Sequence, residues 1–155
     1  MNKEIILEQL EVLCENDYLI TVLSNTSSLI MQELDNLNWV GYYLFHDGQL
    51  ILGPFQGLPA CETIALDQGV CGASASSEKT IIVDDVHEFE GHIACDSNSN
   101  SEMVIPIVVG DQLFGVLDID SPVFNRFGKL EKELLEEFVA YLQTQIPYKK
   151  VSYLP

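Results

Sequence analysis

A short polar segment near the middle of the chain carries the residue types needed for thiol chemistry. The string GHIACDS at 91–97 places His92 and Cys95 close together, and Glu102 follows just before the apolar run at 103–109. The segment is too polar and turn-rich to form core, and a thiol on such a loop can act as a nucleophile. Cys95 could instead be a small apolar side chain buried beneath the loop, so its own segment leaves both interpretations open.

A pair of carboxylates near the end of the chain forms a second candidate site. In LDID at 117–120, strand alternation would point Asp118 and Asp120 to one face and the two apolar residues to the other. Glu102 begins the preceding strand of the same predicted hairpin and could join the two aspartates. Three such groups could bind a metal or a substrate ammonium group, or they could simply form a solvated outer face of the sheet.

Aromatic residues and histidines complete the set of candidates. Trp39 and Tyr43 lie four residues apart in a strand-like run, hence on one face, where they could form an apolar wall for a methyl or thioether group. His87 and His92 flank the cysteine loop. One of them could help to generate the Cys95 thiolate, although a loop histidine is more often a surface residue.

The four cysteines favour thiol chemistry over a structural role. Cys14, Cys61, Cys71 and Cys95 include no C-x-x-C pair, so they do not match the pattern of a structural zinc site. A structural disulfide framework is not expected in a reducing cytoplasm. Cys71 lies in GVCG at 69–72, which could open a short helix whose positive N-terminus would lower the pKa of the thiol.

Composition limits the class of protein. A length of 155 residues predicts one domain, 1–155, and 47% apolar residues are typical of a globular chain. A net charge of −17 with seven Lys and Arg residues argues against nucleic-acid binding. No apolar run approaches the roughly 20 residues that cross a bilayer, and the N-terminus lacks a signal-peptide pattern. We therefore expect a cytoplasmic protein with no membrane association.

Periodicity predicts the elements that position these residues. A short first helix contains Ile6, Leu10 and Leu13, and a second, capped by Asp17, presents apolar residues between Leu19 and Leu34. The final helix is predicted over 130–145, with its apolar face at Leu130, Leu134, Phe138 and Leu142.

Six strands are expected between the second and the final helix. They are predicted at 39–45, 49–53, 63–66, 80–83, 101–109 and 112–120. Asp47-Gly48 and Gly110-Asp111 are hairpin turn signals, and Pro54 is expected to end regular pairing of the second strand. The hairpins favour an antiparallel sheet, and 84–101 forms a long loop of the kind that is often functional. The predicted fold class is α+β, with about six antiparallel strands flanked by N- and C-terminal helices.

A series of motifs between residues 39 and 122 resembles one known family. The strings are WVGYY at 39–43, GPFQG at 53–57, AC at 60–61, GVCG at 69–72, DVH at 85–87, GHIACDS at 91–97, SE at 101–102 and GVLDIDSP at 115–122. They are similar to those of the free methionine-(R)-sulfoxide reductases, a family built on a stand-alone GAF domain. The related sensory GAF modules lack this set of cysteines.

The resemblance implies a role for each matching residue. Cys95 corresponds to the catalytic cysteine that attacks the sulfoxide sulfur, Cys61 to the main resolving cysteine, and Cys71 to a second cysteine that can enter the exchange. The other matching residues hold the free amino acid: Glu102, Asp118 and Asp120 as carboxylates, and Trp39 and Tyr43 near its methyl-bearing end. The implied cycle passes through a Cys95 sulfenic acid and an intramolecular disulfide that thioredoxin reduces. No metal or organic cofactor is implied, and a homodimer is left open.

Two other classes of function are alternatives. The chain could be a GAF sensor or ligand-binding module without catalysis, although no output domain is evident in the sequence. It could also be a metal-dependent hydrolase that uses His92 with Glu102, Asp118 and Asp120. Thiol-dependent turnover and sensitivity to a chelator separate these classes from the reductase.

Overall fold

The computed structural model describes residues 1–93 and 95–151, in which a six-stranded antiparallel sheet is the central element. Its strands stand in the order β3-β2-β1-β6-β5-β4. In chain order they are β1 Trp39–His46, β2 Gln49–Gln56, β3 Thr63–Ala65, β4 Ile81–Val83, β5 Ser101–Val109 and β6 Gln112–Ser121. The α-helices are α1 Lys3–Leu13, α2 Leu19–Glu33, α3 Gly69–Ser77 and α4 Lys129–Gln145, and short 3-10 turns span Val86–Glu88 and Ile146–Tyr148. The predicted α+β class and six-stranded antiparallel sheet are confirmed, while 152–155 of the predicted domain 1–155 lie outside the described residues.

The two faces of the sheet have different partners. On one face, alternate strand residues such as Val40, Leu117 and Ile119 pack with α1, α2 and α4 in the main apolar core. On the other face, Trp39 and Val116 belong to a second cluster that includes residues of α3. Because side chains alternate along a strand, each central strand contributes to both clusters.

The β1–β2 hairpin follows its turn signal but continues beyond the predicted end. Asp47 and Gly48 both have positive φ, 50° and 76°, as a two-residue turn of this kind requires. Regular pairing is interrupted at Pro54 as expected, but the predicted end of the strand at Gly53 is wrong, because β2 extends to Gln56, which pairs with Val40 of β1. The register shifts between Gly41 and Tyr43, so Pro54 occupies a bulge where no ladder donor is needed.

The helices differ from their predictions at two points. Tyr18, not Asp17, is the N-cap of α2, and no side chain caps that helix. Leu130 is 68% exposed, whereas Leu134, Phe138 and Leu142 are fully buried. Leu130 stands at the start of α4, one turn before the helix makes its full contact with the sheet.

No α-helix within 1–93 and 95–151 is both long and apolar enough to span a membrane. A small cavity lies between α3, the loop after β4 and the face of the sheet that carries Trp39 and Val116.

Candidate functional site

Three carboxyl groups form the floor of this cavity. Glu102 on β5 pairs in register with Asp120 on β6, and Asp118 stands two residues before it on the same face. Glu102 and Asp118 are each only 6% exposed. The predicted grouping of the three carboxyl groups is present, and the alternative of a solvated outer face is wrong.

Burial and mutual repulsion keep protons on these groups. Burial, reinforced by the charge of Asp120, raises the pKa of Glu102 to about 8. The pKa values of Asp118 and Asp120 are also raised well above the ordinary range, first by burial and then by the neighbouring carboxyl groups. Buried protonated carboxyl groups at neutral pH can donate protons to a bound molecule.

Cys71 projects from the first turn of α3 toward the same floor. Its Sγ lies 4.0 Å from Oε1 of Glu102, and the residue is 4% exposed. The prediction that the helix N-terminus lowers the thiol pKa is wrong: burial, followed by the nearby carboxyl groups, raises the pKa of Cys71 well above its ordinary value. Desolvation and the neighbouring carboxyl groups therefore outweigh the partial positive charge of a nine-residue helix.

A disulfide bond joins Cys61, on the connection between β2 and β3, to Cys95 on the loop after β4. The two Cα atoms are 5.4 Å apart, and 34 positions separate the residues along the chain. Cys95 lines the cavity, together with Cys71 and the three carboxyl groups. Cys95 is therefore not a side chain buried beneath its loop, and the pairing with Cys61 that the resemblance implied is present.

The cavity is small in this disulfide-bonded state. Its volume is about 30 Å³, enough for about two water molecules. The remaining lining residues come from the cysteine loop, from the start of α3 and from β3: His92, Ile93, Asp96, Ser99, Gln68, Gly69, Val70 and Ile64.

Trp39 and Tyr43 stand behind the cavity and do not line it. Their rings stack with centroids 5.8 Å apart, and the ring of Phe55 also stacks on Trp39, with centroids 5.2 Å apart. Tyr43 Oη donates a hydrogen bond of 2.9 Å to the carbonyl of Cys61, and Trp39 Nε1 donates one of 3.1 Å to the carbonyl of Leu58. In this state the two aromatic residues hold the Cys61 segment in place, and the apolar wall stays a prediction.

The two loop histidines have different surroundings. His92 Nε2 lies 3.5 Å from Oε2 of Glu102, and its side chain is 16% exposed. Burial lowers the pKa of His92, which favours the neutral imidazole. His87 hydrogen-bonds Asp85 at 2.7 Å and is 63% exposed, so it is the surface histidine.

Asn38, Asp96 and Ser99 form a polar contact that the sequence reasoning missed. Asn38 Nδ2 donates to Asp96 Oδ2 at 2.9 Å and to Ser99 Oγ at 3.1 Å. The partners lie 58 and 61 residues away along the chain, and the sole local signal is an asparagine before a strand.

The acidic floor also has the donor atoms for a cation. One ligand atom from each of Cys71, Glu102 and Asp118 lies within 4.8 Å of the others. A thiolate and two carboxylates suit a divalent transition metal, and the same carboxylates suit an organic ammonium group.

The chain is similar to known proteins along most of its length. A family model described as the GAF domain matches residues 20–144. The free methionine-R-sulfoxide reductase of Escherichia coli (strain K12) is 48% identical over 139 residues, which cover 88% of this chain and 84% of that protein. The protein of the same name from Saccharomyces cerevisiae is 41% identical over 162 residues, covering 96% of this chain and 90% of the relative.

A solved structure agrees with this likeness. The structure of fRMsr of Staphylococcus aureus in complex with substrate has a TM-score of 0.88 and 47% sequence identity to this chain. The superposition covers 94% of this chain and 95% of the other.

Proposed function

The chain belongs to the free methionine-R-sulfoxide reductases of the GAF family, and from this premise we propose that it reduces free L-methionine-(R)-sulfoxide through the thiol of Cys95. Members of this family are oxidoreductases. The observation that carries the proposal is the Cys61–Cys95 disulfide at the rim of a cavity floored by the carboxyl groups of Glu102, Asp118 and Asp120. A redox-active sulfur and a proton source then stand beside one another.

The first chemical step transfers oxygen from the substrate to the enzyme. A sulfoxide is a poor electrophile until its oxygen is protonated or strongly hydrogen-bonded, and a protonated carboxyl group of the floor supplies that proton. As the Cys95 thiolate attacks, the sulfoxide S–O bond breaks and the S–OH bond of a cysteine sulfenic acid forms. The substrate sulfur gains two electrons, the cysteine sulfur loses two, and methionine leaves.

The second step forms the disulfide. The thiol of Cys61 attacks the sulfenic acid of Cys95, water leaves, and the two sulfur atoms are joined. An external dithiol, for which we propose thioredoxin, then reduces the bond by thiol–disulfide exchange and returns both thiols.

Cys95 is the best candidate for the attacking thiol on two grounds. It lines the cavity, whereas Cys61 stands outside the lining and suits the resolving role. Cys71 also lines the cavity, but its raised pKa keeps it in the thiol form at neutral pH. Cys71 is therefore better suited to donate a hydrogen bond, or to exchange with the disulfide later in the cycle.

The acidic floor also supports selection of a free amino acid. The ammonium group of free methionine sulfoxide can pair with a floor carboxylate, which then loses its proton at that position. A methionine sulfoxide inside a polypeptide has an amide at the same place and would leave a buried charge unpaired.

The decisive assay offers four substrates separately to the reduced enzyme with dithiothreitol and measures product thioether. We expect rapid reduction of free L-methionine-(R)-sulfoxide and little reduction of the S epimer, of N-acetylmethionine-(R)-sulfoxide or of a peptide-bound sulfoxide. Equal rates on the free and N-acetylated substrates would contradict ammonium recognition. A chelator arm separates the hydrolase alternative, because EDTA should leave the thiol-dependent rate unchanged.

A further inference from the structure

Asn38 links the start of β1 to the segment that carries Cys95. Its backbone N–H donates a 3.0 Å hydrogen bond to the carbonyl of Asp120 on β6, so the residue is attached to the sheet. Its side-chain amide donates to Oδ2 of Asp96, next to Cys95, and to Oγ of Ser99. The side chain thus connects the sheet to the cysteine loop at two points.

The orientation of this amide is set by its partner. A carboxylate can only accept hydrogen bonds, so the NH₂ end of Asn38 must face Asp96. The other end, Oδ1, is buried and has no hydrogen-bond partner in the described part of the chain. An unpartnered buried acceptor is unfavourable, so the contribution of Asn38 rests on the two hydrogen bonds that it donates to the loop.

The other half of the disulfide is anchored to the same strand. Trp39 donates to the carbonyl of Leu58, and Tyr43 donates to the carbonyl of Cys61. Side chains of residues 38–43 therefore hold both the Cys61 segment and the Cys95 segment. Anchoring the segments of both thiols to residues 38–43 raises the effective concentration of one thiol near the other, and hence the stability of the disulfide between them.

We propose that Asn38 is a positioning residue that favours formation of the Cys61–Cys95 disulfide. It acts through Asp96 and Ser99 and touches neither the sulfur atoms nor the substrate. The effect of Asn38 on the disulfide equilibrium does not depend on the proposed function. Its effect on turnover does rest on that function, because it requires the disulfide to form during the catalytic cycle. In that cycle Asn38 speeds capture of the Cys95 sulfenic acid by Cys61, and so protects Cys95 from further oxidation.

The test is a redox titration that contains no sulfoxide. Full-length wild type, Asn38→Ala and Asn38→Asp are equilibrated in mixtures of reduced and oxidised dithiothreitol, alkylated, and scored for the Cys61–Cys95 bond by mass spectrometry. Loss of a hydrogen bond to a charged acceptor is expected to weaken the disulfide equilibrium by about tenfold. The reduction potential then becomes less negative by about 30 mV, because a tenfold change in a two-electron couple corresponds to that value. Asn38→Asp keeps the shape but places a second carboxylate against Asp96, so its shift should be at least as large.

Two further variants separate positioning from general stability. Asn2→Ala removes the side-chain cap of α1 and should lower the free energy of unfolding without moving the disulfide equilibrium. Ser99→Ala removes one acceptor from the loop side, so it should shift the equilibrium in the same direction even if Asn38→Ala fails to fold.

Disulfide equilibria within twofold of wild type for the Asn38 variants, or for Ser99→Ala where those do not fold, would overturn the proposal. So would a melting temperature that falls equally in the oxidised and reduced forms. Because no substrate is present, a failure here is distinct from a failure to reduce methionine sulfoxide.

Discussion

Glu102, Asp118 and Asp120 form one acidic unit, in which desolvation, followed by the charge of one neighbouring carboxylate, raises the pKa of each group. A protonated Glu102 is neutral and does not repel its neighbours. An ionised Glu102 places a negative charge beside two other carboxyl groups. The protonation state of the unit therefore affects both the stability of the fold and the proton available for chemistry.

The stability of the protein should fall as the pH rises through the range set by Glu102. The pKa of this group is about 8 in the folded protein, against an ordinary value of 4.5. Between these values the folded state binds a proton that the unfolded chain releases, so the free energy of unfolding decreases with pH. Urea unfolding of reduced protein at several pH values should show this slope, and Glu102→Gln should make it shallower. A wild-type curve that is flat across the window would contradict the raised pKa.

The same carboxyl groups should be needed for turnover. Glu102→Gln and Asp118→Asn each remove a proton donor or an ammonium partner, and we expect kcat/KM to fall by about 10² or more. Circular dichroism and the alkylation rate of Cys95 should stay close to those of wild type. Unchanged kinetics in either variant would remove the floor carboxyls from the mechanism.

Single-turnover experiments separate the four cysteines. Reduced Cys95→Ser should release no methionine, whereas Cys61→Ser should release close to one equivalent and stop as a sulfenic acid. Cys71→Ser should retain the burst, since its raised pKa argues against an attacking role. Cys14→Ser, whose residue belongs to the main core, should turn over as wild type and serves as the control. A burst of methionine from Cys95→Ser would show that another thiol attacks.

Predictions for single residues were correct where the property follows from local backbone geometry. They failed where the property depends on residues that are distant in sequence. The grouping of Asp118 with Asp120 follows from strand alternation alone, so the sequence was enough. The pKa of Cys71 is set by burial against carboxyl groups on β5 and β6, and the nearest of these in sequence, Glu102, is 31 residues away. The sequence around Cys71 shows a helix N-terminus but gives no sign of these distant carboxyl groups. Asn38 was missed for the same reason, because its partners are distant in sequence.

At the scale of elements, the start of β1 depends on a glycine. A Cβ added at Gly41 would lie 2.6 Å from Cη2 of Trp39 and would also overlap the Cβ of Phe55. Gly41→Ala should therefore destabilise the protein by about 1–3 kcal/mol and displace the stacked aromatic residues that hold the Cys61 segment. Urea unfolding and Trp39 fluorescence would measure both effects.

A matched control for this change is available at the start of α4. Gly128→Ala places a Cβ 3.4 Å from the flexible side chain of Glu131, in an extended backbone that alanine adopts, and should cost less than Gly41→Ala. Equal destabilisation by the two substitutions would argue against a special packing role for Gly41.

The elements were predicted well in number and order, and less well at their ends. The two hairpins were identified because their turns require residues such as Asp47-Gly48 and Gly110-Asp111. Pro54 misled the assignment of β2, since a proline within a strand indicates an end unless a bulge accommodates it. Whether a bulge forms depends on the pairing with β1, which the sequence of β2 alone does not contain.

At the scale of the whole molecule, the Cys61–Cys95 disulfide closes a long segment of chain. The two cysteines have a sequence separation of 34, and closing a loop of this length is expected to stabilise the folded state by about 3–4 kcal/mol relative to the reduced protein. Urea unfolding of oxidised and reduced wild type measures the difference directly. Cys95→Ser should show no difference between the two conditions, and a reduced wild type as stable as the oxidised form would contradict the estimate.

The two-sided packing of the sheet also limits how this chain can diverge. In β6, Leu117 and Ile119 face the helical core, while Asp118 and Asp120 face the cavity. Deleting or inserting one residue within the strand would turn the aspartates into the core and the apolar residues into the cavity. Losses or gains of two residues keep every side chain on its own face, and so do changes confined to the turn at 110–111. We therefore expect relatives that differ in the length of this hairpin to differ at the turn or by even numbers within the strand.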